Sequence, residues 1–218
     1  MPLSVASLED LQAALQRHHV SVPDHVHQSL VDYCDLLWEW NEQINLTRHT
    51  DMDAFVSRDL IDTLQLSKHL AEGCSVLDVG SGGGVPGIPL AMLRPDLKIE
   101  MAESVAKKAK VLKTLARDLK LPVKVFADRA EKLVKSRSYD VLTIRAVAPI
   151  RKLLFWFRQY PDHFHQLLLI KGPRWVTEFE EAKAEGLANH VHIEKIDEYA
   201  TPGHDNNSVI LSVTFELT

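Results

Sequence analysis

Asp78, Gly80, Gly82, Gly83, Gly84 and Gly87 crowd into one short stretch, interleaved with Pro86 and Pro89. Glycine reaches dihedrals closed to other residues and has no side chain, so a turn built from it lets a ligand approach the backbone closely. The residues before it, Val76, Leu77 and Val79, predict a short strand buried in a parallel sheet. Those after it, Leu90 to Leu93, predict a helix with proline in its first turn. A strand end, a free turn and a helix N-terminus together form a seat for a polar or charged ligand.

Two cofactor chemistries compete for that seat. Gly82-x-Gly84-x-x-Gly87 matches the dinucleotide fingerprint, with Glu103 near the expected ribose-binding acid, about 20 residues on. Asp78-x-Gly80-x-Gly82-x-Gly84 matches the first motif of S-adenosylmethionine-dependent methyltransferases. Charge favours the second, because a carboxylate at Asp78 repels a pyrophosphate but suits an ammonium and a sulfonium. Glu103 is then expected to accept both ribose hydroxyls with its two oxygens. Asp128 to Glu131 is expected beside the adenine, where acceptors can read its amino group. Arg145 follows an apolar strand directly, so its fork is expected to face the cleft and hold a carboxylate or phosphate.

The elements that must position these residues follow from periodicity. Residues 1–70 read as helical: Ser7 caps a segment with Leu8, Leu11, Ala14 and Leu15 at helical spacing. A second helix from about Pro23 carries Val26, Leu30, Val31, Cys34, Leu37 and Trp38 on one stripe, and a third runs from Asp51 towards Leu70. The stretch Trp40–Thr47 breaks the pattern between them. From residue 71 strands and helices alternate, with strands at Lys98–Glu103, Val123–Phe126, Tyr139–Ile144 and Gln166–Ile170. Two more, around Val191–Ile196 and Val209–Phe215, are joined by the turn-rich Thr201–Asn207 with no helix between. The expected architecture is α/β, a doubly wound, mostly parallel seven-stranded sheet with a late antiparallel strand. It divides as a helical extension at 1–70 and a catalytic domain at 71–218. A dehydrogenase would need a further substrate domain, for which too little chain remains.

Composition removes other classes. No apolar run approaches the ~20 residues of a membrane span, and the two cysteines form no disulfide framework, so a cytoplasmic protein is expected. Three His-x-His pairs occur, at His25/His27, His163/His165 and His190/His192, but no third ligand completes a metal site. No nucleophile–histidine–acid order stands out, and the catalytic residues stay unassigned. An Asn-Pro-Pro-aromatic run and a Pro-Cys nucleophile are absent, which disfavours methylation of exocyclic amines and of pyrimidine C5. Net charge is −5, yet a local basic rim can still meet phosphates. Lys107, Lys108, Lys110, Arg145, Arg151, Lys152, Lys171 and Arg174 are its candidates, although most lysines of the 107–117 helix read as a solvated face.

More of the chain bears a resemblance. Trp40-Asn-x-x-x-Asn-Leu-Thr47, Arg58-x-x-x-Asp62, the Asp78–Leu90 loop with its Gly-x-Pro-Gly-Ile-Pro, Arg94-Pro95, Lys107-Lys108, Arg145-Ala146 and Lys171-Gly172 resemble the glucose-inhibited division protein B family. The resemblance implies a class I, Rossmann-like methyltransferase that transfers a methyl group from S-adenosylmethionine to guanine N7 of 16S ribosomal RNA. It implies cofactor contacts at Gly80, Val85, Ala130, Glu131 and Arg145, beside Asp78, Gly82 and Glu103 from the residue reading. Arg58 is expected on the substrate side with Arg151, Lys152, Lys171 and Arg174. The expected partner is 16S ribosomal RNA or a precursor small subunit, met by a monomer away from any membrane. Two departures stand out: Ser81-Gly-Gly-Gly84 replaces the usual Thr-Gly-Pro-Gly, and Asp59 stands where a histidine is frequent.

Overall fold

The computed structural model describes residues 6–203 and 206–216. Its strands are β1 Ser75–Val79, β2 Lys98–Ala102, β3 Lys124–Phe126, β4 Tyr139–Arg145, β5 Phe164–Lys171, β6 Val191–Tyr199 and β7 Ser208–Phe215. They form one sheet in the order β3-β2-β1-β4-β5-β7-β6. β1 to β5 run parallel, while β7 is antiparallel to both β5 and β6. This is the doubly wound, seven-stranded sheet that the alternation predicts. Strand order reverses between β1 and β4, and ligands of such sheets bind beyond the strand ends at that point.

The central strands are apolar on both faces because helices cover both. Val76, Val141 and Leu168 enter one core, and their neighbours Leu77, Leu142 and Leu169 enter the other. The first core is closed by α1 Leu8–Arg17, α2 His27–Asn41, α4 Ile61–Ser67, α5 Gly87–Leu93 and α6 Ala106–Asp118. The second is closed by α7 Ala130–Val134, α8 Ile150–Phe157 and α9 Trp175–Ala184. Along β6, Val191 and Ile193 pack against the second core while His192 and Glu194 between them point to the opposite, exposed face.

The helical extension is built as its sequence reads, with one difference. Ser7 Oγ accepts the Asp10 N–H at 3.0 Å, the expected cap of α1. At the end of α2, Asn41 Oδ1 accepts the N–H groups of Leu46 (2.7 Å) and Thr47 (3.0 Å), which fixes the broken stretch as a turn. The third helix is not continuous: α3 Met52–Ala54 passes into a π-helical segment, Phe55–Leu60, before α4. A π segment adds one residue per turn, and over six residues that leaves no separate period to read. The turn expected at Thr201–Asn207 includes His204 and Asp205, which lie outside the described residues.

Tyr33 and Leu37 of α2 share a core with Ile88, Leu90 and Leu112 of the sheet's own helices. Tyr33 also donates its hydroxyl to Gly83 O at 2.9 Å, inside the glycine turn. Residues 6–70 therefore complete the core beneath the ligand seat. A chain of residues 71–218 alone is expected to melt without a cooperative transition and to bind a hydrophobic dye, as circular dichroism and dye fluorescence would read.

Candidate active site

The turn after β1 is held from below. Gly80 and Ser81 N–H both donate to Ala102 O, at 2.8 and 3.2 Å, and Gly84 N–H closes back onto Ser81 O. Gly80 has φ +67°, and a Cβ there would lie 2.8 Å from Val147 Cγ2, so no other residue fits without displacing Val147. Gly87 is tight for a different reason. A Cβ on it would fall 2.7 Å from Met101 Sδ and 2.9 Å from Asp78 Oδ2.

Asp78 is thus directed under the loop. It is 1 % exposed; its Oδ1 accepts Thr143 Oγ1 at 3.3 Å, and its Oδ2 has no hydrogen-bond partner of good geometry. Burial pushes its carboxyl up to about 6, against the opposing pull of Ser81, Gly87, Thr143 and Arg145. The sequence sets Asp78 against a ligand's positive groups; the structure places its carboxylate under the loop, lining neither hollow of the cleft. Glu103 lies closer to where it is expected. Its Oε2 accepts Gly82 N–H at 3.0 Å and its Oε1 accepts Val105 N–H at 2.7 Å, so both oxygens already brace the loop. A carboxylate offers about four lone-pair sites, and Glu103 does line the cleft, so it retains acceptor capacity for a ribose.

Two hollows meet at Gly80. One, of about 280 Å³, has Val79, Ala102, Ala130, Val147 and Trp156 as apolar walls and Asp128, Ser104 and Glu131 as polar ones. The other, of about 260 Å³, runs over Gly82, Gly83 and Val85 to Glu103, Lys108 and Asp59. A flat purine fits the first, and a charged amino-acid tail the second, so the residues present suit S-adenosylmethionine. A third and wider hollow, about 780 Å³, opens beside the second and shares Leu46, Thr47, Asp59, Arg145 and Ala146 with it.

Arg145 stands at that shared wall with its fork already filled. Its Nε donates to Asp62 Oδ2 at 2.7 Å and its terminal nitrogen to Asp59 Oδ1 at 2.6 Å. Burial works against its charge, but the two carboxylates outweigh it and hold its pKa above the ordinary value. Asp62 Oδ1 also accepts Tyr199 Oη at 2.6 Å, and Asp59 Oδ2 lies 2.9 Å from His49 Nδ1.

Comparisons with known proteins decide the family. The family model described as rRNA small subunit methyltransferase G matches residues 26–207. The chain belongs to this GidB family. A protein of Rhodopirellula baltica named ribosomal RNA small subunit methyltransferase G is 45% identical over 190 residues, covering 87% of this chain and 82% of that one. A protein of the same name from Chromobacterium violaceum is 34% identical over 197 residues, covering 90% and 92%. Solved structures agree on the fold alone. The METTL16 methyltransferase domain superposes with TM-score 0.60 at 13% identity, over 97% of this chain and 93% of that domain. A mutant of MtNAS in complex with S-adenosylmethionine gives 0.57 at 14% identity, over 99% and 86%.

Within this GidB chain, Gly80, Gly82, Val85, Ala130, Glu131, Glu103 and Arg145 all lie on the paired hollows. Arg145 does so as a locked ion pair, not as a free fork. On the expected basic rim, Lys171 is half-buried and already paired, its Nζ donating to Ala148 O and Glu178 Oε2, both at 2.7 Å. Arg151 pairs with Glu185 at 3.3 Å, whereas Lys152 and Arg174 are exposed and form no ion pair among the described residues. Arg58 lies on the π segment and lines none of the three hollows. Sequence reasoning missed Arg158, exposed beside Phe155, and His49, whose only signal was its place two residues beyond Leu46-Thr47.

The buried Asp78 makes stability depend on pH. Its carboxyl titrates near 6 when folded and near its ordinary 3.8 when unfolded, so between those values only the folded state keeps the proton. Stability from this group is full below about pH 4 and is lost as pH rises through about 6, a cost of about 3 kcal/mol above it. Asp78→Asn, which mimics the protonated acid, is expected to gain on the wild type from pH 4 to 6 and to hold that gain at pH 7.5. Melting curves across that range read the difference.

Proposed function

We propose that this protein transfers the methyl group of S-adenosylmethionine to N7 of a guanine in 16S ribosomal RNA. Family membership supports the reaction class. The observation in this chain that carries the reading is the placing of a wide, polar third hollow directly beside the amino-acid end of the cofactor cleft, with a shared wall. When bound, the cofactor supplies an electrophilic methyl on a sulfonium. The chain's task is then to bring the acceptor nitrogen into line with it, which is a matter of positioning.

The reaction moves charge but no proton. Guanine N7 has an in-plane lone pair and no proton, so methyl transfer needs no general base and relocates a positive charge onto the base. Asp59 and Asp62 face one guanidinium, a local surplus of one negative charge that Arg48 offsets elsewhere on the third hollow, where Lys171 and Glu178 cancel. Hydrogen bonds from Arg145 to the two aspartates hold these charges in place, so they do not have to reorganise during the transfer. Guanine N7 is hidden in the deep groove of A-form RNA, so the target belongs in a loop or in an incompletely assembled small subunit. The reading places the protein in the cytoplasm, acting as a monomer. No helix of the described residues is long and apolar enough to cross a membrane.

Two expected outcomes test it. In calorimetric titrations the wild type binds S-adenosylmethionine and not NAD, while Gly80→Val abolishes binding because its branched side chain collides with Val147. Neutralising Lys152, Arg158 and Arg174 together lowers the salt slope of RNA binding by about 2 and leaves cofactor affinity unchanged. Lys171→Met lowers the melting temperature but not that slope, since its ammonium is already paired.

A further inference from the structure

His49 forms part of the wall of the third hollow, and nothing in the methyl transfer described above uses it. Its Nδ1 lies 2.9 Å from Asp59 Oδ2, and Asp59 is buried and held from its other oxygen by Arg145. An ionised carboxylate only accepts hydrogen bonds, so Asp59 places the ring proton on Nδ1 and leaves Nε2 of the neutral ring as an acceptor. That nitrogen has no protein partner among the described residues. The backbone of His49 is anchored separately. Trp38 Nε1 donates to its carbonyl at 2.8 Å, and its N–H donates to Thr47 Oγ1 at 3.0 Å. The ring is therefore a fixed acceptor on the wall of the hollow.

We infer that His49 Nε2 reads the Watson–Crick edge of the target guanine, accepting from its N1–H or its 2-amino group. This rests on the guanine reading proposed above. Guanine presents only acceptors, N7 and O6, on its major-groove edge, and its donors lie on the opposite edge. A lone acceptor can pair only with the donor edge, and a base held there turns N7 away from His49. Adenine has no donor at either of those two ring positions, so the same contact selects guanine. His49 is in this account a specificity-determining residue whose tautomer is set by Asp59, and Asp59 is in turn set by Arg145.

The test uses small-subunit ribosomal RNA ligated from fragments, with one of four bases at the position the wild type methylates. These are guanine, inosine (no 2-amino group), 2-aminopurine (no N1–H) and 7-deazaguanine (no N7). His49→Asn keeps an N–H towards Asp59 but has no atom at the Nε2 position, its own carbonyl falling short near the Cδ2 position, and His49→Ala is the second variant. Melting curves and S-adenosylhomocysteine affinity confirm that each is folded. Wild type is expected to prefer guanine over at least one donor-deleted base by about 10-fold or more in kcat/KM, because the unmet acceptor is left unpaired. Both variants should lose that preference by slowing on guanine while changing little on the analogue. If His49→Asn slows all bases by the same factor, or none, the assignment is overturned. If the wild type methylates 7-deazaguanine as well as guanine, N7 is not the target atom, and the reaction reading falls together with this inference.

Discussion

One buried guanidinium, that of Arg145, joins separate stretches of the chain at the mouth of the cleft. It meets Asp59 on the π-helical segment and Asp62 on α4, and through them it reaches His49 and Tyr199. A buried ion pair adds little net stability against a well-packed apolar substitute, because both charges lose their water. Removing one partner is another matter, costing about 3–5 kcal/mol by stranding the other charge. Such a cluster fixes geometry more than it deepens the energy well. It sets the helical extension against the ends of β4 and β6, so that the cofactor cleft and the wider hollow share one rigid wall.

The glycine loop shows the complementary strategy, in which local cost is accepted for a defined shape. Asp78 Oδ2 is buried with no well-formed partner, and Gly80 sits at positive φ against Val147. The first is unfavourable and is held in place by the sheet and helices around it, while the second is free of strain only because glycine has no Cβ. Functional sites are where such violations are expected, with the rest of the structure compensating. Glu103 ties the loop to the second strand end, so the glycine turn and this carboxylate are parts of one hydrogen-bonded unit.

Much of this was legible in the residues. Strands between glycine and proline punctuation, amphipathic helices and the Ser7 cap follow from local rules, and the sheet followed from their alternation. The cleft residues along Gly80–Val85, Glu103 and Ala130–Glu131 were legible because a doubly wound sheet puts strand ends at its ligand edge. What escaped was pairing across the chain. That Arg145 is occupied depends on Asp59 and Asp62, far away in sequence and brought round by a π segment with no period of its own. Lys171 looked free because its partner Glu178 lies across a turn, on the next helix. Asp59 was read as the loss of a histidine, whereas the fold sets His49 against it.

The order of the sheet has a consequence for how the molecule is made. β7 lies between β5 and β6, although it is the last strand of the chain. During synthesis β1 to β5 leave the ribosome first, and the long apolar edge of β5 waits unpaired until Ser208–Phe215 emerges. An open edge of Leu167 to Ile170 is a template for wrong partners, another nascent chain among them. Tyr199, which closes the charge cluster through Asp62, is likewise among the late arrivals. The wall around Arg145 is therefore completed only after translation has passed β7, and until then the β5 edge stays open.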